Sequence, residues 1–245
     1  MLTSKNNFHK IAPFYDQNAL IQKKMAESLM ELVEKNVGCK FDDVLEVGCG
    51  TGLFTRLIQK KINYKRLFLN DLHNFISFKG GYDFLEGDIE EINLPYKFDI
   101  IFSNATFQWV KDFKRLIQKL HQCLKPQGYL CFTTFGEENL KEVKAVTGVG
   151  LNYLTFNEYL DLLGRYFNII TYYQTKESLY FQSPWDVLKH MKLTGVNSVA
   201  KVQWTKRNFV TFCELYEQFK TEKGYLLTYH PFYFIVSKNK EVCYD

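Results

Sequence analysis

The sequence contains no apolar run long enough to cross a membrane, and this absence is the first limit on its class. A transmembrane helix needs about 20 consecutive, predominantly apolar residues, and no stretch of the chain approaches that length. The N-terminal segment MLTSKNNFHK also lacks the apolar centre of a secretory signal. The sequence therefore predicts a cytoplasmic protein without a membrane segment.

Paired cysteines are missing as well, although the chain contains six cysteines. None of them forms a CxxC pair, and their spacing to the five histidines matches no zinc site. The sequence therefore predicts neither a disulfide framework nor a metal site. A large excess of one sign of charge is missing too. The net charge of +4 is too small to indicate nucleic acid as a partner.

Aromatic residues are the main excess in the composition. They make up 17% of the chain, with 22 Phe and 16 Tyr. Such a surplus usually fills a core, but it can also wall a dry pocket for an apolar or acyl substrate. Both interpretations remain open at this point. The length of 245 residues suits one α/β domain, so we expect a single domain over residues 1–245.

Strand-like and helical patterns alternate along the first half of the chain. The run Asp43–Val47 ends in a glycine-rich turn, a helical pattern follows at Leu53–Lys61, and a second apolar run ends at Asn70 and Asp71. This βαβ order predicts a parallel sheet. Further strands are predicted at Tyr82–Glu86, Phe98–Ser103 and Tyr129–Thr134, with helices at Phe113–Leu124 and Phe156–Tyr166.

The C-terminal part contains two long β-like segments, Asn168–Phe181 and Tyr225–Ser237. Helical patterns at Pro184–Leu193 and Lys206–Phe219 lie between them. We therefore predict a Rossmann-like α/β fold whose last two strands are joined through a helical insertion at residues 183–220. Residues 1–40 are predicted to be an N-terminal helical segment, and residues 41–135 a cofactor-binding core.

A glycine-rich turn, EVGCGTG at Glu46–Gly52, lies between the first predicted strand and the first predicted helix of the core. Glycine permits the tight bend and lets main-chain N–H groups approach a ligand. Dinucleotide sites and purely structural turns share this pattern. A dinucleotide, however, places its pyrophosphate at the helix N-terminus, where an acid such as Glu46 would repel it. The acid suits a cationic amino group instead.

Polar residues also follow the next three strands. Asp71 ends the second strand, where a carboxylate can accept from both hydroxyls of a ribose, and Asp88 follows the third, where a side chain can reach an adenine amine. Asn104 follows the fourth strand. A nucleoside with a cationic amino acid explains this set better than a nucleotide, so we expect S-adenosyl-L-methionine as cofactor. The predicted binding residues are Glu46, Gly48, Cys49, Gly50, Gly52, Asp71, Leu72, Asp88, Ile89 and Asn104.

This set resembles the class I S-adenosylmethionine-dependent methyltransferase family over roughly residues 41–135. The resemblance implies a seven-stranded, mostly parallel sheet with helices on both faces. Segments outside the core narrow it to the malonyl-[acyl carrier protein] O-methyltransferase family of biotin synthesis, to which the chain is similar nearly end to end. These segments are APFYDQNA at 12–19, FSNATFQW at 102–109, TTFG at 133–136, LTGVN at 193–197 and LTYH at 227–230.

The resemblance implies methylation of the free carboxylate of a malonyl thioester, carried by acyl carrier protein through phosphopantetheine or by coenzyme A. That carboxylate is already ionised at neutral pH, so no general base is required. Neutral hydrogen-bond donors are expected beside it, and Tyr15, Gln108 and Trp109 are the catalytic candidates. Packing roles remain open for Tyr15 and Trp109, and His190 and His230 are more simply structural. We expect a monomer.

The predicted insertion has an uneven charge distribution. No acidic residue lies between Asp186 and Glu214, whereas Lys189, Lys192, Lys201, Lys206 and Arg207 are basic. A solvated helix face is the simplest explanation. A docking patch for an acidic carrier protein is the alternative. For the whole chain, a methyltransferase of another small acid or a quinone-like ring, or a catalytically silent binding protein, also remains open.

Overall fold

The computed structural model describes residues 12, 14–195 and 205–238, which fall into two compact units. The core unit comprises Gln22–Thr134, Leu154–Gln174 and the chain from Phe232 onward. The second unit comprises the chain up to Ile21, Phe135–Tyr153 and Thr175–Pro231. The single domain over residues 1–245 stays a prediction. Asn197 and Lys201, named above, lie outside the described residues.

A seven-stranded sheet forms the centre of the core unit, in the order β3-β2-β1-β4-β5-β10-β6. Strand β1 pairs in parallel with β2 and β4, whereas β10 and β6 are antiparallel. The predicted seven-stranded, mostly parallel sheet is therefore confirmed. The strands are β1 Lys40–Val47, β2 Asn63–Asp71, β3 Asp83–Glu86, β4 Phe98–Ser103, β5 Leu124–Phe135, β6 Asn168–Gln174 and β10 Pro231–Ser237.

Helices cover both faces of this sheet because successive strand residues point to opposite sides. Val44 and Leu67 pack with α1 and α2 on one face, whereas Leu45 and Phe68 pack with α3 and α5 on the other. The fold predicted from the sequence is the observed one. These helices are α1 Leu20–Asn36, α2 Leu53–Lys61, α3 Phe113–Cys123 and α5 Phe156–Tyr166; the second unit contains α4 Lys141–Thr147, α6 Pro184–Leu193 and α7 Lys206–Tyr216.

The crossover from β2 to β3 departs from the usual arrangement. Parallel strands are usually joined through a helix, but residues 72–82 form none. Ile76 and Tyr82 pack instead against the apolar cluster that contains α2, and the guanidinium of Arg56 lies 5.0 Å from the ring centroid of Phe78. Aromatic side chains therefore occupy the space beside α2 that a crossover helix would fill.

The prediction of two long strands at the C-terminal end is wrong in its extent. Residues 168–181 divide into β6 and β7, and residues 225–237 divide into β9 and β10. Strands β6 and β10 join the large sheet, while β7, β9 and β8 form a separate three-stranded sheet of the second unit. Burial alternates through the first break, and residues 227–237 are buried without interruption through the second, so neither pattern revealed the break. The strands of the small sheet are β7 Glu177–Phe181, β8 Lys220–Thr221 and β9 Gly224–Tyr229.

The predicted insertion at residues 183–220 is therefore bracketed by a sheet of its own unit. Its first helix has the predicted bounds, but the second ends at Tyr216 and continues as a 3-10 turn at Glu217–Phe219. Among the described residues, no helix combines the length and apolar character that a membrane span requires.

Candidate functional site

The glycine turn after β1 has a backbone that only glycine adopts readily. Gly48, Gly50 and Gly52 have φ values of 74°, 54° and 81°, in the left-handed region that a Cβ disfavours. The N–H of Gly48 donates to the carbonyl of Asn70 at 2.8 Å, which fixes the turn to the end of β2. A Cβ at Gly48 would also lie 2.2 Å from Oγ1 of Thr106. Glycine is therefore required here by both backbone and space.

Glu46 lies at the end of β1, directly ahead of the turn. It is only 1% exposed, and its Oε2 accepts a hydrogen bond of 2.6 Å from the hydroxyl of Thr55 on α2. Burial raises the pKa of Glu46 to about 8, and the charge of Asp71 adds to the shift. A cation beside this carboxyl group would favour its ionised form, so the site is suited to a positively charged group.

Asp71 closes the other side of the turn from the end of β2. Its Oδ2 accepts from the N–H of Gly50 at 2.7 Å, and its Oδ1 accepts from the N–H of Leu72 at 2.7 Å. Burial raises the pKa of Asp71, while hydrogen bonds from the main chain of Gly50, Leu72 and His73 oppose that rise. Each carboxylate oxygen has a second lone pair, which suits the hydroxyl groups of a sugar.

Asn70 is a site residue that the sequence reasoning missed as a functional position. It is 2% exposed, and its amide nitrogen donates to the carbonyls of Leu85 at 2.8 Å and Gly87 at 3.0 Å. Since its own carbonyl accepts from Gly48, Asn70 joins the glycine turn to the segment after β3. A buried amide needs partners, and a polar residue ending an apolar strand was the available signal.

The segment after β3 forms a tight turn of its own. The N–H of Gly87 donates to the carbonyl of Asp71 at 2.8 Å, and Oδ1 of Asp88 accepts from the N–H of Glu90 at 3.1 Å. Ile89 is buried, while Leu72 after β2 is half-buried. The predicted contacts of Asp88, Ile89 and Leu72 with an adenosine stay predictions.

Asn104 is held firmly where β4 ends. Its amide nitrogen donates to the carbonyl of Gln22 on α1 at 3.1 Å, and its Oδ1 accepts from the hydroxyl of Thr133 on β5 at 2.7 Å. The next residue, Ala105, has a φ of 51°, which costs energy for a residue with a Cβ. Strain of this kind is concentrated at functional sites.

Two of the predicted catalytic residues, Gln108 and Trp109, lie in a 3-10 turn at Phe107–Trp109 that follows Ala105. The amide nitrogen of Gln108 donates to the carbonyl of Ala105 at 2.5 Å, and its Oε1 accepts from the hydroxyl of Thr134 at 3.4 Å. Trp109 is 42% exposed, so it is not the core aromatic that packing alone would predict. Their catalytic roles stay predictions.

The third catalytic candidate, Tyr15, belongs to the second unit, where residues 14–18 are helical. In that unit His190 and the fully buried Tyr229 share a hydrogen bond of 2.8 Å. Burial lowers the pKa of His190 to about 4. Burial also raises the pKa of Tyr229, and the phenols of Tyr15 and Tyr153 add to that shift. Both partners are therefore uncharged near neutral pH, which agrees with a structural His190.

His230 also has partners in the second unit, because its Nδ1 accepts from the N–H of Glu138 at 3.3 Å. The core unit, by contrast, collects all ten predicted cofactor residues with Gln108 and Trp109 at the carboxyl ends of β1 to β4, where open α/β sheets bind ligands. Tyr15 belongs to the second unit, and its place in the site stays a prediction. In the portion of the chain that the structure describes, no cluster of His, Cys, Asp and Glu could hold a metal ion.

Comparison with known proteins identifies a methyltransferase family. A family model described as a methyltransferase domain matches residues 45–132. The chain is 88% identical, over 100% of both chains, to the malonyl-[acyl-carrier protein] O-methyltransferase of Calditerrivibrio nitroreducens.

Two solved structures share the fold at 14% identity. A putative methyltransferase from Bacillus halodurans has a TM-score of 0.63, with 87% of this chain and 100% of that chain covered. The N-methyltransferase NodS from Bradyrhizobium japonicum, solved with S-adenosyl-L-homocysteine, has a TM-score of 0.51, with 87% of each chain covered.

Proposed function

Because the chain belongs to the malonyl-[acyl-carrier protein] O-methyltransferase family, we propose that it methylates the free carboxylate of malonyl-acyl carrier protein with S-adenosyl-L-methionine. The full-length identity of 88% to the Calditerrivibrio nitroreducens protein carries this proposal. The family resemblance noted in the sequence is confirmed. The product is a methyl ester whose masked charge suits elongation by fatty acid synthesis enzymes, as an early step of biotin synthesis.

The charges around the glycine turn support this cofactor over a dinucleotide. Glu46 and Asp71 border the turn, and Asp71 already accepts from the N–H of Gly50, a group that would otherwise face a phosphate. An acid directly ahead of the turn, as Glu46 is, would repel a pyrophosphate. The amino group of S-adenosyl-L-methionine suits Glu46, the ribose hydroxyls suit Asp71, and the adenine amine suits Asp88.

The reaction needs placement more than proton transfer. The cofactor supplies an electrophilic methyl group on a cationic sulfur. The ionised malonyl carboxylate would take this methyl group, and the electron pair of the broken C–S bond would remain on sulfur, so no residue of the chain has to move a proton. Alignment of the two groups can contribute about 7 to 11 kcal/mol. Opposite charges neutralise each other in the transition state, so a site of low dielectric constant accelerates the step.

Gln108 is a neutral donor of the core unit that can orient the malonyl carboxylate. An arginine clamp would stabilise the reactant and weaken the nucleophile, whereas an amide donor orients it at smaller cost. Gln108 is fixed by Ala105 and Thr134 on either side of its amide. Trp109, directly after it, supplies apolar surface and an indole N–H. Tyr15 is the corresponding candidate of the second unit.

Transfer of a labelled methyl group tests the proposal. The protein is incubated with methyl-labelled S-adenosyl-L-methionine and malonyl-carrier, and acetyl-carrier, which lacks the carboxylate, serves as the matched control. We expect a base-labile methyl ester on malonyl-carrier alone. Label on both carriers, or on neither, overturns the proposal. Transfer to a free small acid or quinol would indicate another methyltransferase, and cofactor binding without transfer a silent protein.

Malonyl-coenzyme A, assayed beside malonyl-carrier, shows which acyl carrier the enzyme prefers; we expect the carrier protein. The monomeric state and the cytoplasmic location stay predictions. Gel filtration with light scattering measures the first, and cell fractionation measures the second.

A further inference from the structure

Helices α6 and α7 of the second unit expose an aromatic pair. Trp185 at the start of α6 is 56% exposed, and its ring packs edge-on against Phe209 of α7 with 5.5 Å between centroids. Val210, next to Phe209, is 47% exposed. Tryptophan has a large apolar surface that is usually buried, so a tryptophan held by a neighbouring ring and left open to solvent indicates a binding surface.

Basic residues border this aromatic pair on both helices. Lys189 and Lys192 follow Trp185 at helical spacings that put them on its side of α6, while Val187 and Met191 on the other side are buried. On α7, Lys206 and Arg207 lie one turn ahead of Phe209 and Val210. The docking surface, as we call it below, consists of Trp185, Lys189, Lys192, Lys206, Arg207, Phe209 and Val210, all exposed except the half-buried Phe209.

The cations of the docking surface differ from three other lysines of the same unit. Lys141 and Lys176 pair with Glu138, and Lys220 pairs with Glu217. Among the described residues, none of the four cations of the docking surface forms an ion pair. Residues 187–213 contain no acid, so all charged residues of the docking surface are positive. Such a surface favours a negatively charged partner.

We propose that an acidic helix of the acyl carrier protein docks on this surface, with Trp185 as its apolar anchor. This inference rests on the proposed function, in which the substrate arrives attached to a protein. A buried aromatic anchor with a charged rim is typical of protein interfaces, and complementary charge accelerates encounter. A nucleic acid or an anionic membrane would use the cations but has less need of a single paired tryptophan.

Charge reversal separates docking from chemistry. In the variant Lys189→Glu, Lys192→Glu, Lys206→Glu, we expect kcat/KM for malonyl-carrier to fall about tenfold or more. The kcat/KM for malonyl-coenzyme A should stay within about twofold of the wild-type value, because this substrate has no carrier protein to dock. Salt should slow the wild type on malonyl-carrier and should speed the variant, because in the variant it screens repulsion between like charges.

A matched control uses three exposed lysines of the core unit. The variant Lys35→Glu, Lys60→Glu, Lys114→Glu makes the same change in net charge on α1, α2 and α3, and we expect carrier turnover near that of the wild type. Trp185→Ala tests the anchor without a charge change and should raise KM for malonyl-carrier with little effect on malonyl-coenzyme A. Thermal unfolding checks that each variant is folded.

The outcomes distinguish the two proposals. Equal losses on both substrates, or equal losses in the control variant, overturn the docking surface. If the wild type is active and the charge-reversed variant uses malonyl-carrier as well as the wild type does, the docking surface is wrong and the proposed function stands. A wild type that methylates no malonyl thioester overturns the proposed function and this inference with it. If only binding to phosphatidylglycerol vesicles or single-stranded DNA is lost in the variant, the surface serves that partner and docking is wrong.

Discussion

Each unit of the molecule contains a carboxylate that accepts hydrogen bonds from main-chain N–H groups, but the two carboxylates differ in access. Asp71 of the core unit accepts from Gly50 and Leu72 and is half-buried. Glu142 of the second unit is 1% exposed and accepts from the N–H of Thr228 at 2.9 Å and its hydroxyl at 2.5 Å. A carboxylate that solvent can reach is therefore available to a ligand, whereas one that is fully buried can only stabilise the fold.

The surroundings of Glu142 explain its role. The N–H of Leu140 donates to the carbonyl of Thr228 at 2.7 Å, and the N–H of Gly136 donates to the carbonyl of His230 at 2.8 Å. Together with the Glu142 carboxylate, residues 136–142 hydrogen-bond the end of β9 much as a neighbouring strand would. Replacement of Glu142 should therefore lower the stability of the fold, whereas replacement of Asp71 should weaken cofactor binding.

The largest expected effect is the loss of stability in Glu142→Gln. A glutamine can offer Thr228 only neutral hydrogen bonds in place of two bonds to a carboxylate, and bonds to a charged group contribute about 1.5 to 3 kcal/mol each. We expect a loss of about 3 kcal/mol in urea unfolding, with affinity for S-adenosylhomocysteine unchanged. Glu138→Gln, at a surface ion pair, should cost no more than about 1 kcal/mol. A similar loss of unfolding free energy in both variants would contradict the role of Glu142 as a buried, stabilising carboxylate.

The second prediction compares two glycines with similar backbones. Gly48 and Gly148 have φ values of 74° and 67°, but a Cβ would meet Thr106 at 2.2 Å only at Gly48, whereas nothing lies within 4 Å at Gly148. Gly148→Ala should cost about 1 to 2 kcal/mol from backbone strain alone. Gly48→Ala adds overpacking of about 1 kcal/mol and should weaken cofactor binding. Equal costs in urea unfolding, with equal affinities by calorimetry, would show that the clash is relieved.

The third prediction concerns Asp71→Ala. Loss of a charge-assisted hydrogen bond to the ribose should weaken cofactor affinity about tenfold or more, or about 1.4 kcal/mol. Isothermal titration calorimetry with S-adenosylhomocysteine measures it. Asp83→Ala, at the other end of the neighbouring strand, is the control and should bind normally. Unchanged affinity in Asp71→Ala would mean that this acid is structural, like Glu142.

The fourth prediction concerns a pH dependence set by Glu46. Its pKa is raised from 4.5 to about 8, so the folded state prefers the protonated acid, and its contribution to stability falls as pH rises through that window. A bound ammonium group favours the ionised acid, so affinity for S-adenosylhomocysteine should rise over the same window. Glu46→Gln should remove this part of the pH dependence. Identical profiles by calorimetry would exclude Glu46 as the partner of the amine.

Local patterns in the sequence predicted much of the core unit. The bounds of α2, β4 and α5 agree with the structure because apolar periodicity and stop residues are local signals. The roles of Asn70, Thr106 and Glu142 were not foreseen. Each depends on a partner from a distant part of the chain, as when Thr106 fills the space beside Gly48, and no spacing rule encodes such pairs.

By itself, the sequence determined the alternation of strands and helices in the core unit, the bend that needs glycine, and the acids around that bend, because these follow from neighbouring residues. Only the tertiary structure decided that residues 168–181 and 225–237 each divide between two sheets, since alternation shows which face a side chain takes and not which strand it pairs with. The tertiary structure also decided that the carboxylate of Glu142 is buried and that Trp185 is exposed. Burial depends on remote parts of the chain that fold against a residue.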